Sequence, residues 1–86
     1  MSRLVPVNYD KVIKALTKIG YIAIHQKGSH IVMQLSDKRR YAAIFGERKP
    51  ESMVVVPVHR PIGKGMVRTI MREADLSVDE FNGLVD

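Results

Sequence analysis

Gln26-Lys27-Gly28-Ser29-His30 interrupts two short apolar runs, Tyr21 to Gln26 and Ile31 to Leu35, and its reading decides the fold. A glycine followed by a small polar residue between two such runs is the signature of a two-residue type II′ hairpin turn. Gly28 can take the positive φ that the first turn position needs, which a residue with a Cβ takes only at a cost. Counting outward from a Gly28-Ser29 loop, Lys27 is expected to face His30, Gln26 to face Ile31, His25 to face Val32, Ile24 to face Met33, Ala23 to face Gln34 and Ile22 to face Leu35. Directly paired residues share a face, and successive residues alternate. This register predicts a core face of Ile22, Ile24, Gln26, Ile31, Met33 and Leu35, and a solvent face of Ala23, His25, Lys27, His30, Val32 and Gln34. Two imidazoles and an ammonium then gather at the tip of the solvent face, the sharpest chemical feature of the chain.

On the N-terminal side, residues 2 to 8 read as an extended lead-in, with Pro6 disfavouring helix just before it. Asn8 is placed to cap a first helix over residues 9 to 19. Val12, Ile13, Ala15, Leu16 and Ile19 recur there at helical spacing, Lys11, Lys14 and Lys18 take the other side, and Gly20 supplies the stop. On the C-terminal side, Ser36 to Arg40 is a polar, basic turn. Tyr41 to Phe45 is either a short strand of its own or part of a long insertion from Asp37 to Ser52, and periodicity does not separate the two. Met53 to Val58 is a β-branched strand, apolar on both faces and so expected to be the best-covered of the sheet; Pro57 is expected to take its last residues off the ladder. After a Pro- and Gly-punctuated loop, Gly65 to Ala74 reads as a second helix with Met66, Val67, Ile70, Met71 and Ala74 as its stripe. Ser77 and Glu80 form a capping box that opens a short third helix holding Phe81, Leu84 and Val85. Helices on either side of an antiparallel meander predict an α+β fold of two layers.

The 86 residues are expected to form one domain, 1–86, with a modest core. Without cysteine, no disulfide framework or thiolate metal site is possible. No apolar run approaches the ~18 residues of a membrane span, and the start Met-Ser-Arg-Leu-Val-Pro lacks the apolar core of a signal peptide, so a cytoplasmic protein is expected. The net charge of +5 conceals an uneven distribution. Lys11 to Arg72 carries 13 Lys and Arg against three acids, whereas Glu73 to Asp86 has five acids and no base. A basic body suggests a polyanionic partner, most simply nucleic acid held by its phosphates. Solubility alone also favours basic small domains, so charge does not settle the matter.

His30, at the end of the hairpin and facing away from the core, can serve as a general acid or base held by strand pairing, with Gly28 letting a substrate backbone approach. An arbitrary histidine after a turn is more often a plain surface residue. Lys27 and His25 beside it change that balance, because they supply positive charge where a phosphate binds and where charge develops during its reaction. A metal site of His25, His30 and His59 is disfavoured, since no carboxylate in the hairpin completes a ligand set. Ser29 lacks the partners of a nucleophile and reads as a turn residue. Lys64, Arg68 and Arg72 outline a phosphate-binding helix face or an ordinary solvated one.

Four segments in order carry a resemblance: the helix ending Lys-Ile-Gly-Tyr, the hairpin Gln-Lys-Gly-Ser-His, the strand Val-Val-Val-Pro-Val-His, and Lys-Gly-Met-Val-Arg-Thr-Ile-Met-Arg-Glu-Ala-Asp-Leu-Ser. Together they resemble the HicA toxin family, small mRNA interferases of type II toxin–antitoxin pairs, over most of the chain outside Asp37 to Ser52. The resemblance implies a double-stranded-RNA-binding-domain-like fold, RNA cleavage without cofactor or metal, and His30 as the catalytic residue. It also implies mRNA as substrate and a HicB-like antitoxin that covers the active site. On this reading Lys27, Gly28 and Ser29 hold the phosphate, with His25, Lys64 and Arg68 as further RNA contacts. The second proton-transfer group is left open, His25 being the nearest candidate. The alternatives are a non-catalytic RNA-binding module and a structural subunit whose hairpin docks a protein.

Overall fold

The computed structural model describes residues 3–86, so Ser2, the first residue of the expected lead-in, lies outside the described residues. The elements run α1 (Tyr9–Lys18), β1 (Tyr21–Lys27), β2 (His30–Leu35), α2 (Lys38–Phe45), β3 (Met53–Pro57), α3 (Lys64–Glu73) and α4 (Val78–Val85). The three strands form one antiparallel sheet in the order β1-β2-β3. Helices α1 and α3 pack on one face of it, and α4 packs against α1. This is the expected α+β arrangement with one additional helix, α2. The lead-in is held by a two-way backbone bridge between Val7 and Ile62.

Helix α1 forms because Val12, Ala15, Leu16 and Ile19 fall on one face and are all buried. Asn8 occupies the cap position but makes no side-chain cap bond. The helix stops at Gly20, whose φ of +112° leaves the helical region. Gly20 is also a point of close approach. Its carbonyl accepts from the N–H groups of Ser36 and Asp37 at 3.1 Å each, and a Cβ on it would lie 2.5 Å from the Asp37 carbonyl oxygen.

The hairpin turn is as predicted. Gly28 has φ +58°, and the one described non-glycine residue with positive φ is Asp75. A type I′ turn would need positive φ at Ser29 as well, so the pattern fits type II′. Pairing follows the expected register from Lys27↔His30 through His25↔Val32. It then departs from it. A bulge at Ile24 makes the next pairs Ala23↔Met33, Ile22↔Gln34 and Tyr21↔Leu35. The expected inward-facing Ile22 and Ile24 are therefore 46% and 43% exposed, and Tyr21 is wholly buried in their place.

Magnitudes explain the exchange. Burying a tyrosine removes roughly 150–250 Å² from water, worth about 4–6 kcal/mol as an upper bound at ~25 cal/mol/Å². Two isoleucines left a little under half exposed forgo about 1.5–3 kcal/mol together. The phenol is also satisfied, since its hydroxyl donates to the Glu51 carbonyl at 2.8 Å, and burial pushes it above its ordinary pKa.

Two further expectations are corrected. β3 is an edge strand covered on one face, with Val54 and Val56 buried and Met53 and Val55 exposed. Its apolarity on both sides therefore does not report burial on both sides. Pro57 is tolerated because an edge position needs no donor on its outer side. The ladder nevertheless continues to its end, as Pro57 pairs with His30 and the Val58 N–H donates to the Ser29 carbonyl at 2.7 Å.

Tyr41 to Phe45 is helix, not strand. Asp37 caps α2 through the Arg40 N–H at 3.0 Å, and Tyr41 is buried with its hydroxyl donating to the Ala74 carbonyl. The insertion then folds back over the α3–α4 junction. Arg48 lies over the Phe45 ring, 4.7 Å from its centroid, and holds both carboxylate oxygens of Glu80 at 2.8 and 2.7 Å. Glu80 is at once the capping-box partner of Ser77, so one carboxylate ties the insertion to the start of α4.

Candidate active site

The β1–β2 hairpin projects beyond the helix layer. Every residue from Ile22 to His30 is exposed, on both faces of the ribbon. Its tip is nevertheless braced. The Gln26 side-chain amide donates to the Gly28 carbonyl at 3.2 Å, and the Ser29 carbonyl is engaged by Val58. Around Gly28 nothing lies within 4 Å of the position a Cβ would take, so the turn backbone is open to close approach.

Register places the chemistry. Lys27 and His30 are directly opposed, His25 precedes Lys27 by two residues, and His25 itself faces Val32. All three side chains therefore share the face turned away from the helices, as expected from the sequence. Among the described residues, no hydrogen bond or ion pair engages the side chains of His25, Lys27 or His30. There is no Asp or Glu between Asp10 and Asp37, so the hairpin holds positive charge without a compensating carboxylate of its own. Such a group suits an oxyanion such as a phosphate.

Other predicted site residues stand apart. Helix α3 covers the face of β3 that carries Val54 and Val56, opposite the His30 face. Arg68 and Arg72 flank a shallow depression of about 310 Å³ with Asp75 to Val78 at the far end of α3. They do not join the hairpin group. Lys64 is the first residue of α3, on the same helix layer. His59 follows the end of β3, where its carbonyl accepts from the Tyr9 N–H at 3.1 Å. Among the described residues the three histidines do not converge with one another or with carboxylates as a metal-binding cluster.

Sequence reasoning missed the apolar part of this face. Ile22, Met53 and Val55 join Val32, already expected there, on the side of the sheet that carries His25 and His30, and Met53 and Val55 are 48% and 43% exposed. The face is thus half apolar and half cationic rather than a polar solvent face. The even apolarity of Met53 to Val56 was the available signal for Met53 and Val55. For Ile22 there was none, because its direction depends on the bulge.

The fold and the site together define a small α+β domain with a cationic, histidine-bearing hairpin on an open sheet. The chain belongs to the HicA toxin family, since residues 9–76 match the model for the HicA toxin of bacterial toxin–antitoxin systems. It is accordingly a toxin component of such a system. No curated protein and no solved structure matches it. Among the described residues, no helix is long and apolar enough to cross a membrane.

Proposed function

We propose that this toxin is an endoribonuclease that cleaves mRNA without a metal ion, with the whole chain, 1–86, acting as one cytoplasmic domain. The observation that carries the reading is the direct pairing of Lys27 with His30 on the open face, with no hydrogen bond or ion pair to either side chain among the described residues. His30 takes the proton of a ribose 2′-hydroxyl, and the oxygen attacks the adjacent phosphorus. Lys27 and the turn at Gly28 and Ser29 hold the phosphate and stabilise the charge that builds on it. The P–O5′ bond breaks, leaving a 2′,3′-cyclic phosphate and a 5′-hydroxyl. A positioned acid–base group contributes ~10²–10⁴-fold, so the enzyme is expected to be slow.

The same face fits control by a HicB-like antitoxin. An exposed apolar stripe beside a charged site is the kind of surface a protein partner covers, and a partner seated on Ile22, Met53 and Val55 would also screen His30. The test is incubation of the purified toxin with a structured mRNA in EDTA, beside His30→Ala. Cuts made by the wild type and lost in the variant support the proposal. RNA binding without cutting by either protein, once free of antitoxin, would replace it with a non-catalytic RNA-binding module.

A further inference from the structure

The transesterification above consumes one base and needs one acid, because the departing O5′ must gain a proton as the 2′-oxygen loses one. His30 supplies only the first. Among the described residues on the open face of the hairpin, the other imidazole is His25.

Strand geometry shows why its orientation is not incidental. In a regular strand Tyr21 and His25, four residues apart, would point to the same side. Here Tyr21 is wholly inside the core and His25 is exposed on the opposite face. The bulge at Ile24 is what permits both. The turn fixes His25 outward by register, and the bulge lets Tyr21 enter the core without turning His25 inward. His25 stands diagonal to His30 across the ladder, its partner Val32 being two residues beyond His30, which sets the two residues about 7–8 Å apart. Lys27 shares their face and neighbours both, directly opposite His30 and two residues along the strand from His25. A phosphate drawn onto Lys27 is therefore within the neighbourhood of two imidazoles, one across the ladder and one along the strand.

We propose that His25 is the general acid of the reaction, delivering its proton to O5′ as the P–O5′ bond breaks, while His30 accepts the proton of the 2′-hydroxyl. The proton balance closes within the pair: one turnover leaves His25 neutral and His30 protonated, and solvent exchange on this exposed surface resets both. The proposal rests on the ribonuclease reading given above and adds the second catalytic residue to it.

A leaving-group experiment separates proton donation from phosphate binding. At a site the wild type cuts, one RNA carries the ordinary linkage and a second carries sulfur in place of the bridging 5′-oxygen. A thiolate departs without being protonated. His25→Gln is expected to slow cleavage of the oxygen linkage by ~10²–10⁴-fold and to cut the sulfur linkage at close to the wild-type rate. His30→Gln is expected to be slow on both. His25→Arg, which keeps a cation but gives up an exchangeable proton, should behave as His25→Gln does. Because His25 is exposed and unpaired within the described residues, both variants should melt with the wild type. The assignment is overturned if His25→Gln cuts the oxygen linkage normally, if it is equally slow on both linkages, or if His25→Arg restores the rate. A wild type that cuts neither linkage overturns the ribonuclease reading itself, which is distinct from a wild type that cuts while His25 proves dispensable.

Discussion

Replacing Gly20 by alanine tests how α1, the exit of β2 and the start of α2 are joined. Gly20 sits at φ +112°, where a residue with a Cβ pays about 1–3 kcal/mol of backbone strain. The new methyl would also lie 2.5 Å from the Asp37 carbonyl oxygen, a backbone atom that cannot swing aside. The Ser36–Asp37 segment must retreat, loosening its two hydrogen bonds to the Gly20 carbonyl at ~1 kcal/mol each. It also disturbs the Asp37 cap of α2, worth roughly another 1 kcal/mol. The sum is about 4–6 kcal/mol, set against a total stability of ~4–13 kcal/mol for a chain of this length. Gly28→Ala is the control. It also has positive φ, +58°, but nothing lies within 4 Å of its Cβ position, so only the backbone strain of about 1–3 kcal/mol is expected. At roughly 4–8 °C per kcal/mol for a small domain, thermal melts followed by circular dichroism should show Gly20→Ala melting about three such steps below Gly28→Ala. Equal melting temperatures for the two variants would refute the crowding argument, since strain would then be the whole effect.

Deleting Ile24 should be tolerated, although deletion within a strand normally turns every residue beyond it to the wrong face. Here removal of the bulged residue leaves the observed pairs as a regular ladder, with Tyr21 still inward and His25 still outward. Chemical denaturation should show a loss of no more than about 1.5 kcal/mol, the burial Ile24 now has; a loss above ~4 kcal/mol would mean that Tyr21 has left the core. Glu80 governs the acid limb of stability. Hydrogen bonding to Arg48 and then to Ser77 holds its carboxyl down at about 2 from 4.5. Its contribution is therefore complete above pH ~4.5 and lost as pH falls toward ~2, because protonation favours the unfolded chain there. Glu80→Gln should flatten the stability curve across that window and lower the melting temperature at pH 7. An unchanged acid limb would show that the Arg48–Glu80 pair does not couple to folding.

Local chemistry was enough for several features of this protein. Gly28 with Ser29 specifies a tight turn whatever surrounds it, so the pairs nearest the tip, Lys27 with His30 and His25 with Val32, followed by counting. Gly20 as a helix stop and Ser77 with Glu80 as a capping box are likewise short-range and were legible. The site at the hairpin tip was readable for that reason: it lies within three pairs of the turn that sets its register.

What lay farther from a turn was decided by packing. Tyr21 displaced Ile22 and Ile24 because the core offered space for a large ring and the Glu51 carbonyl for its hydroxyl, and the strand took a bulge to allow it. Tyr41 to Phe45 is helical because Tyr41 and Arg48 find their partners at Ala74 and Glu80, more than thirty residues away. No periodicity within five residues encodes that. The sequence by itself determined the turn, the Ser77–Glu80 capping box and the residues that meet at the hairpin tip, since each depends on neighbours along the chain. Only the tertiary structure decided which face of β1 is buried, that β3 lies at an edge, and how the insertion docks, since each depends on which distant surface was available to cover it.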